Sequence, residues 1–146
     1  MGQKVNPIGY RLVLNKNWLS SWYDKKNYAP NLLKDLKMRE YILNNYKSAG
    51  VSNVKVERAA DKVSVHISLS RPGMIIGKKG SGIEELTKQL RQINGDNLVL
   101  NLVEERREEL NAKLVAQSLA FQIEKRAAPK RIAKRAMQAA LRMGAK

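Results

Sequence analysis

The sequence has no cysteine, and it has no long apolar run in its 146 residues. Without cysteine there is no disulfide and no thiolate metal site, which is typical of proteins from a reducing compartment. No run reaches the roughly 18 apolar residues that indicate a bilayer-spanning helix. The start, MGQKVNPIGY, lacks the apolar core of a signal peptide, and Asn6 breaks the myristoylation pattern. We therefore expect a soluble, cytoplasmic protein.

Residues that carry catalysis are also sparse. The only histidine, His66, lies in an alternating run on the side shared with Ser64, Ser68 and Ser70. No nucleophile or second base is placed with it, so it is interpreted as a surface or half-buried residue. The sequence contains no Walker loop, no zinc spacing and no metal-ligand cluster. It predicts neither an enzyme nor a bound cofactor or metal.

Acidic residues are few relative to basic ones. Against 28 Lys and Arg there are 13 Asp and Glu, which gives a formal net charge of +15. Such a surplus favours a polyanionic partner, either nucleic acid or an acidic membrane surface. A hydrophobic content of 43% is nevertheless enough for one domain with a buried core.

The order of the apolar patterns predicts an α+β chain. Residues 1–30 show little periodicity and are predicted to form an extended arm with a short turn or two. Asn31 is the expected cap of a helix that runs to Gly50. Alternating apolar residues predict the strands of one sheet, the first two of them as a hairpin. These strands are residues 53–59, 62–70 and 97–105.

Helical spacing predicts the remaining elements. A brief turn is expected at GMII after Pro72, and a longer helix is expected from Ser81 to Asn94-Gly95. From Leu110 the chain is predicted to be helical, with a second helix beginning at Pro129. The apolar stripe of the first helix is predicted to consist of Leu32, Leu33, Leu36, Leu43 and Tyr46.

The stretch PGMIIGKKGSGIEEL contains a glycine loop that is either an ordinary turn or a clamp for a phosphate backbone. A bare G-x-x-G pattern occurs by chance, and lysines in loops are usually solvated. Here the pattern precedes a predicted helix, whose free N–H groups and positive dipole end point at the loop. Glycine lets a sugar-phosphate chain approach closely, and the apolar MII before it offers a floor for bases. The loop is therefore predicted to bind RNA through Gly77, Lys78, Lys79 and Gly80.

The last 25 residues form a second candidate site, because they contain eight basic residues and one acid, Glu124. The basic residues expected to bind RNA are Arg126, Lys130, Arg131, Lys134, Arg135 and Arg142. A solvated helix face usually mixes charge signs, whereas this face carries no acid. An acidic membrane surface is the alternative partner, because a basic amphipathic helix is also typical of membrane binding. The opposite face is mostly alanine and has no Trp or Phe to insert, so RNA is favoured.

The segment IIGKKGSGIEEL resembles the signature of a KH domain, and a helix before the strands is typical of the type II order. Further blocks in the same order extend the resemblance along essentially the whole chain. They are MGQKVNPIGYRL, ER at Glu57 and Arg58, RPGMIIGKKG, NLVEE, LNAKLVAQSLAFQIEKR and KRIAKRAMQAALRMGAK. Together they are similar to the bacterial-type family of small-ribosomal-subunit protein S-three.

The resemblance implies a type II KH domain of order α-β-β-α-α-β, in which helices pack a three-stranded sheet. The expected divisions are an arm at 1–30, the KH domain at 31–106 and a basic helical pair at 107–146. In the family a second domain follows RMGAK and covers the last two helices. We therefore expect either a truncated form or another molecule on that surface.

The resemblance also implies a structural constituent of the small ribosomal subunit that binds ribosomal RNA in the head. Its last helix would contact messenger RNA where message enters, and would help to open message structure. That role carries over to Lys130, Arg131 and Lys134, and extends to Arg126 and Arg135. Lys130 occupies a position where the family commonly has Arg. The positive charge is kept, but the guanidinium group that can bind a phosphate through two hydrogen bonds is lost.

The implied protein neighbours are S-ten and S-fourteen, with S-four and S-five near the entrance for message. Two residues of the arm, Lys4 and Arg11, complete the expected RNA contacts. The aromatic residues of the arm are predicted either to stack on bases or to pack onto protein. A free-standing regulator that binds single-stranded RNA through the same loop is the alternative function.

Overall fold

The computed structural model describes residues 2–59, 62–77, 80–95 and 97–145. In chain order its elements are α1 (Pro7–Arg11), β1 (Ser20–Ser21), α2 (Tyr28–Asn45), β2 (Val51–Ala59), β3 (Lys62–Leu69), α3 (Pro72–Ile76), α4 (Ser81–Asn94), β4 (Leu98–Glu104), α5 (Ala112–Glu124) and α6 (Pro129–Arg142). Short 3-10 turns lie at Lys47–Ala49 before β2 and at Glu108–Leu110 before α5.

Within the described residues, four strands form one sheet in the order β1-β2-β3-β4. Strands β2 and β3 are antiparallel, as the predicted hairpin requires, with Val54 opposite Ile67. Strand β4 runs parallel to β3 and β1 runs parallel to β2. The hairpin loop at Ala60 and Asp61 lies outside the described residues. The α+β fold is confirmed, and β1 is an additional edge strand that the sequence did not predict.

The core lies between one face of the sheet and helices α2 and α4. The inward-facing residues predicted for the hairpin are all buried: Val54, Val56, Val63, Val65, Ile67 and Leu69. They pack against Met38 and Ile42 of α2 and against Leu86 and Leu90 of α4. The alternation of apolar residues in the strands therefore predicted the buried face of the sheet correctly, because successive side chains of a strand point to opposite faces.

Helix α2 differs from its prediction in where it begins. It starts at Tyr28, so Asn31 lies inside the helix and is not its cap. The chain before it is held by Asp24, whose Oδ1 accepts the N–H groups of Lys26 and Asn27. Pro30 falls within the first turn, where a missing N–H costs no intrahelical bond. The helix can therefore begin before the proline.

Helix α2 also differs in the face that it buries. Leu33 and Leu36 of the predicted stripe are exposed, whereas Asp35, Met38 and Ile42 are buried. The carboxylate of Asp35 accepts hydrogen bonds from three side chains beneath the helix, which fixes this rotation. A polar group therefore occupies the centre of the buried face.

Helices α5 and α6 pack against each other, and α5 also contacts β2. The Asn111 side chain caps α5 by accepting the N–H groups of Lys113 and Leu114. Lys113 Nζ donates to the carbonyl of Ser52 in β2 at 2.9 Å. Burial lowers the pKa of the Lys113 ammonium from its ordinary value.

No helix in the described part of the chain has the length and apolar character to cross a membrane.

Candidate nucleic-acid interface

The glycine loop connects the end of α3 to the start of α4. Gly77 has φ 67° and donates its N–H to the Gly73 carbonyl, and Gly80 has φ 87° immediately before α4. Both conformations are left-handed, so glycine is the residue that fits at each position. Gly80 has no side chain, so no side chain at this position caps α4. Lys78 and Lys79 lie outside the described residues.

A third glycine, which sequence reasoning missed, brings the two helices of this turn together. A Cβ placed on Gly82 would lie 2.3 Å from the carbonyl oxygen of Ile75, which is a backbone atom. Only glycine therefore allows α4 to approach α3 this closely. The signal was present in the sequence as the GSG that follows the two lysines.

The MII segment, which was predicted to offer a floor for bases, ends directly before Gly77. Met74 is 53% exposed and Ile76 is 37% exposed, while Ile75 between them is fully buried. Ile83, three residues after Gly80, is half-buried and packs against the core. The apolar surface beside the loop therefore consists of Met74 and Ile76.

The basic face of α6 is exposed over its full length. The exposed cations are Lys130, Arg131, Lys134, Arg135 and Arg142. On the other side Ile132 is buried, and Ala136, Ala139 and Ala140 are half-buried against α5. The two predicted faces of α6 are therefore present, and Met143, which directly follows the helix, is exposed.

Arg135 differs in position from the other cations of α6. It lines a cavity of about 240 Å³ between α5, α6 and the 3-10 turn, together with Glu108 and Glu109. The negative charge of these carboxylates opposes the positive field that the guanidinium offers to a phosphate. Lys130, Arg131, Lys134 and Arg142 do not line this cavity.

Arg126 lies at the corner between α5 and α6, in an uncommon backbone conformation. Its φ is 62°, which is left-handed. Its N–H donates to Ile123 O, and the next N–H, of Ala127, donates to Gln122 O. This is the pattern of a helix end that usually carries glycine. The Arg126 side chain is exposed.

The two residues of the arm that were predicted to bind RNA differ in their side-chain contacts. Lys4 is exposed. Arg11 is also exposed, but its Nη1 donates to the Pro7 carbonyl at 2.9 Å and so helps to close α1. The Asn6 side chain caps α1 at the N–H groups of Ile8 and Gly9.

Trp22 packs onto protein. The aromatic residues of the arm were predicted either to stack on bases or to pack onto protein, and for Trp22 the second interpretation is correct. Its Nε1 donates to Asp35 Oδ2 at 2.7 Å, and its ring centroid lies 5.3 Å from that of Tyr28. The Ser20 hydroxyl donates to the same oxygen, and the Arg58 guanidinium pairs with the other. The buried Asp35 therefore joins the arm to α2 and β2. Trp18 remains exposed.

The open face of the sheet carries the only histidine. His66 is half-buried, and its Nε2 lies 3.4 Å from Glu57 Oε2. The Lys55 ammonium, 2.6 Å from Glu57 Oε1, holds the pKa of that carboxyl below its ordinary value, and His66 contributes a smaller lowering. Among the described residues no group of three His, Asp or Glu is placed to hold a metal ion.

Comparisons with known proteins agree with these features. The family model described as KH domain matches residues 37–110, which include the glycine loop and the strands around it. The small ribosomal subunit protein uS3 of Myxococcus xanthus is 48% identical over 146 residues, which are 100% of this chain and 66% of that protein. The chain thus spans about two thirds of the length of this relative.

Two other proteins of the same name show similar agreement. The uS3 protein of Syntrophus aciditrophicus is 47% identical over the whole chain, which covers 68% of that protein. The uS3 protein of Geotalea uraniireducens is also 47% identical over the whole chain, with 70% of its length covered. The chain, with its KH domain, therefore belongs to the family of small ribosomal subunit protein uS3.

Proposed function

We propose that this chain is a structural, RNA-binding component of the small ribosomal subunit in the cytoplasm. The relatives are named for that subunit, and the chain matches them over its whole length. In this proposal the glycine loop and the arm bind ribosomal RNA in the head. The protein neighbours are S-ten and S-fourteen, with S-four and S-five near the entrance for message.

The observation that carries the proposal is the exposed face of α6, where cations line one side of the helix. Like charges at this spacing repel one another, so the free helix is less stable than one with mixed signs. Phosphates of RNA offset that repulsion, and the release of their counterions drives binding. Messenger RNA that passes this face is held as a single strand by Lys130, Arg131 and Lys134, which favours the opening of its structure.

A triple variant tests the role of α6. In small subunits that carry Lys130→Ala, Arg131→Ala and Lys134→Ala together, we expect normal assembly but slower translation of messages that contain a hairpin near their start. For the isolated chain, three lost phosphate contacts should reduce the salt slope of binding to single-stranded RNA by about 2. The measurement compares translation rates on hairpin-containing and unstructured messages of equal length.

The matched control removes the same charge elsewhere. Lys37, Lys47 and Lys88 are exposed and lie outside the arm and the glycine loop, so their replacement by Ala lowers the net charge equally without touching α6. The control should translate both messages at the wild-type rate. Equal rates of the α6 variant on both messages would refute the role of this face in opening message.

Sedimentation of a cell lysate tests the wider proposal. Co-migration of the protein with the small subunit is the expected result. A main pool that stays free of the subunit at physiological salt would instead support the free-standing regulator of single-stranded RNA.

A further inference from the structure

An exposed aromatic ring lies beside the α5–α6 corner, where Arg126 is the one residue expected from the sequence to bind RNA. Phe121 is the only phenylalanine of the chain, and it is 57% exposed. Lys125 lies one helical turn later and places its Nζ 4.1 Å from the centroid of the ring. The ammonium therefore covers part of the ring by a cation–π contact, and more than half of the side chain stays open to solvent.

Arg126, directly after Lys125, adds a second unusual feature to the same corner. Its left-handed φ of 62° is costly for any residue with a Cβ, and a helix end of this kind is best served by glycine. Within the described residues its side chain makes no hydrogen bond and no ion pair that would repay the strain. The helix end needs this left-handed conformation but does not need an arginine in it, and such a strained side chain is a sign of function.

The charge around the ring favours a polyanion. Glu124 is the last acid of the sequence, and Lys125, Arg126, Lys130 and Arg131 follow it within seven residues. An exposed aromatic ring flanked by cations is the arrangement that single-stranded nucleic acid uses, because a base stacks on the ring while the cations hold phosphates.

We propose that the α5–α6 corner is a binding site for single-stranded RNA, in which Phe121 stacks on one base while Lys125 and Arg126 hold the adjoining phosphates. The base lies on the part of the ring that Lys125 leaves open. The site rests on the proposed function, since it extends the path of single-stranded RNA from α6 to the end of α5. It adds contact with a base to a face that otherwise offers only charge.

The test replaces the ring by an aliphatic side chain. For the 146-residue chain we expect Phe121→Leu to weaken binding to a single-stranded RNA of about 10 nucleotides by roughly 5- to 140-fold, which is the range for one lost stacking contact. Phe121→Tyr keeps the ring and should bind as the wild type does. Heparin, a polyanion without bases, should bind the wild type, the Leu variant and the Tyr variant equally.

The outcomes separate the stacking site from the proposed function. If Phe121→Leu binds RNA as tightly as the wild type, or loses RNA and heparin equally, the stacking site is wrong. If the triple variant of Lys130, Arg131 and Lys134 still loses RNA in that case, the role of α6 stands. If neither variant loses RNA, both proposals fail.

Arg126→Gly tests the second half of the site. Glycine relieves the left-handed strain, so we expect a higher unfolding temperature together with weaker RNA binding and a smaller salt slope. Arg126→Lys keeps both the charge and the strain, and it should change neither temperature nor slope. A more stable Gly variant with unchanged RNA affinity would overturn the role of Arg126.

Discussion

At Gly82 the backbone of α4 lies so close to α3 that the side chain must be a hydrogen atom. Alanine is the better helix former by about 1 kcal/mol, so propensity alone would make Gly82→Ala stabilising. The new Cβ would however lie 2.3 Å from Ile75 O, and a backbone carbonyl cannot rotate away as a side chain can. Overpacking costs about 1–3 kcal/mol and outweighs the gain in propensity. We therefore expect Gly82→Ala to lower the free energy of unfolding, as measured in urea.

Gly73 supplies the matched control in the neighbouring helix. A Cβ on Gly73 meets no heavy atom within 4 Å, and its φ is not left-handed. Gly73→Ala should therefore be neutral or stabilise the chain by up to about 1 kcal/mol. Two alanine variants of equal stability would show that α4 can move away from α3 without cost.

Some properties of single residues could be predicted from the sequence and others could not. The left-handed conformations of Gly77 and Gly80 follow from the G-x-x-G pattern before a helix. The requirement for Gly82 depends on the approach of α3 in space, which the local sequence does not contain. The φ of Arg126 was not predicted for a related reason, because an arginine in sequence gives no sign of a left-handed conformation.

Among the elements, the arm is attached to the fold by polar contacts. Strand β1 consists of two residues, and Val56 N donates to Leu19 O beside it. Asp35 is fully buried and binds Ser20, Trp22 and Arg58. A two-residue strand has little stability of its own, so the arm depends on this carboxylate.

Replacement of Asp35 tests that dependence. Asp35→Ala leaves the half-buried Arg58 without its partner, and the loss of one partner of a buried ion pair costs about 3–5 kcal/mol. We expect unfolding at lower urea concentration, together with faster proteolytic cleavage between residues 12 and 26 under native conditions. Mass spectrometry of the fragments identifies the sites of cleavage.

Glu40 provides the control on the same helix. It is exposed, so Glu40→Ala makes the same kind of change to α2 without touching the arm. The control should be cleaved at the wild-type rate. Cleavage of the Asp35 variant equally throughout the chain would mean that the whole fold, and not the arm alone, has been loosened.

Whether a helix or strand was predicted correctly depended on how local in sequence its contacts are. The hairpin was predicted because alternation is local and one face of β2 and β3 is buried. The rotation of α2 and the pairing of β1 were missed because both depend on Asp35, whose partners lie 13 to 23 residues away in sequence. An acid on the buried stripe with Met38 and Ile42 was the available signal.

The molecule as a whole carries a net charge of +15 that its fold distributes over separate surfaces. The glycine loop joins α3 to α4, whereas the basic face of α6 lies on a helix that packs against α5. Because α5 and α6 are joined to the sheet mainly through contacts near β2, the two surfaces can bind different stretches of RNA. We infer a division in which the loop attaches the chain to ribosomal RNA and α6 acts on message.

Variants of the loop test this division. Lys78→Gln with Lys79→Gln removes two charges, so we expect the salt slope of binding to single-stranded RNA to fall by about 1.4. Lys78→Asp with Lys79→Asp should lower affinity further, because carboxylates repel phosphates. Both double variants should enter assembled subunits less efficiently, while the subunits that do form should translate hairpin-containing messages at the wild-type rate. The α6 triple variant should show the converse, with normal assembly and slow translation.

Two results would contradict this division. An unchanged salt slope would mean that the two lysines touch no phosphate. Slow translation of hairpin-containing messages by the loop variants would mean that both surfaces act on the same RNA.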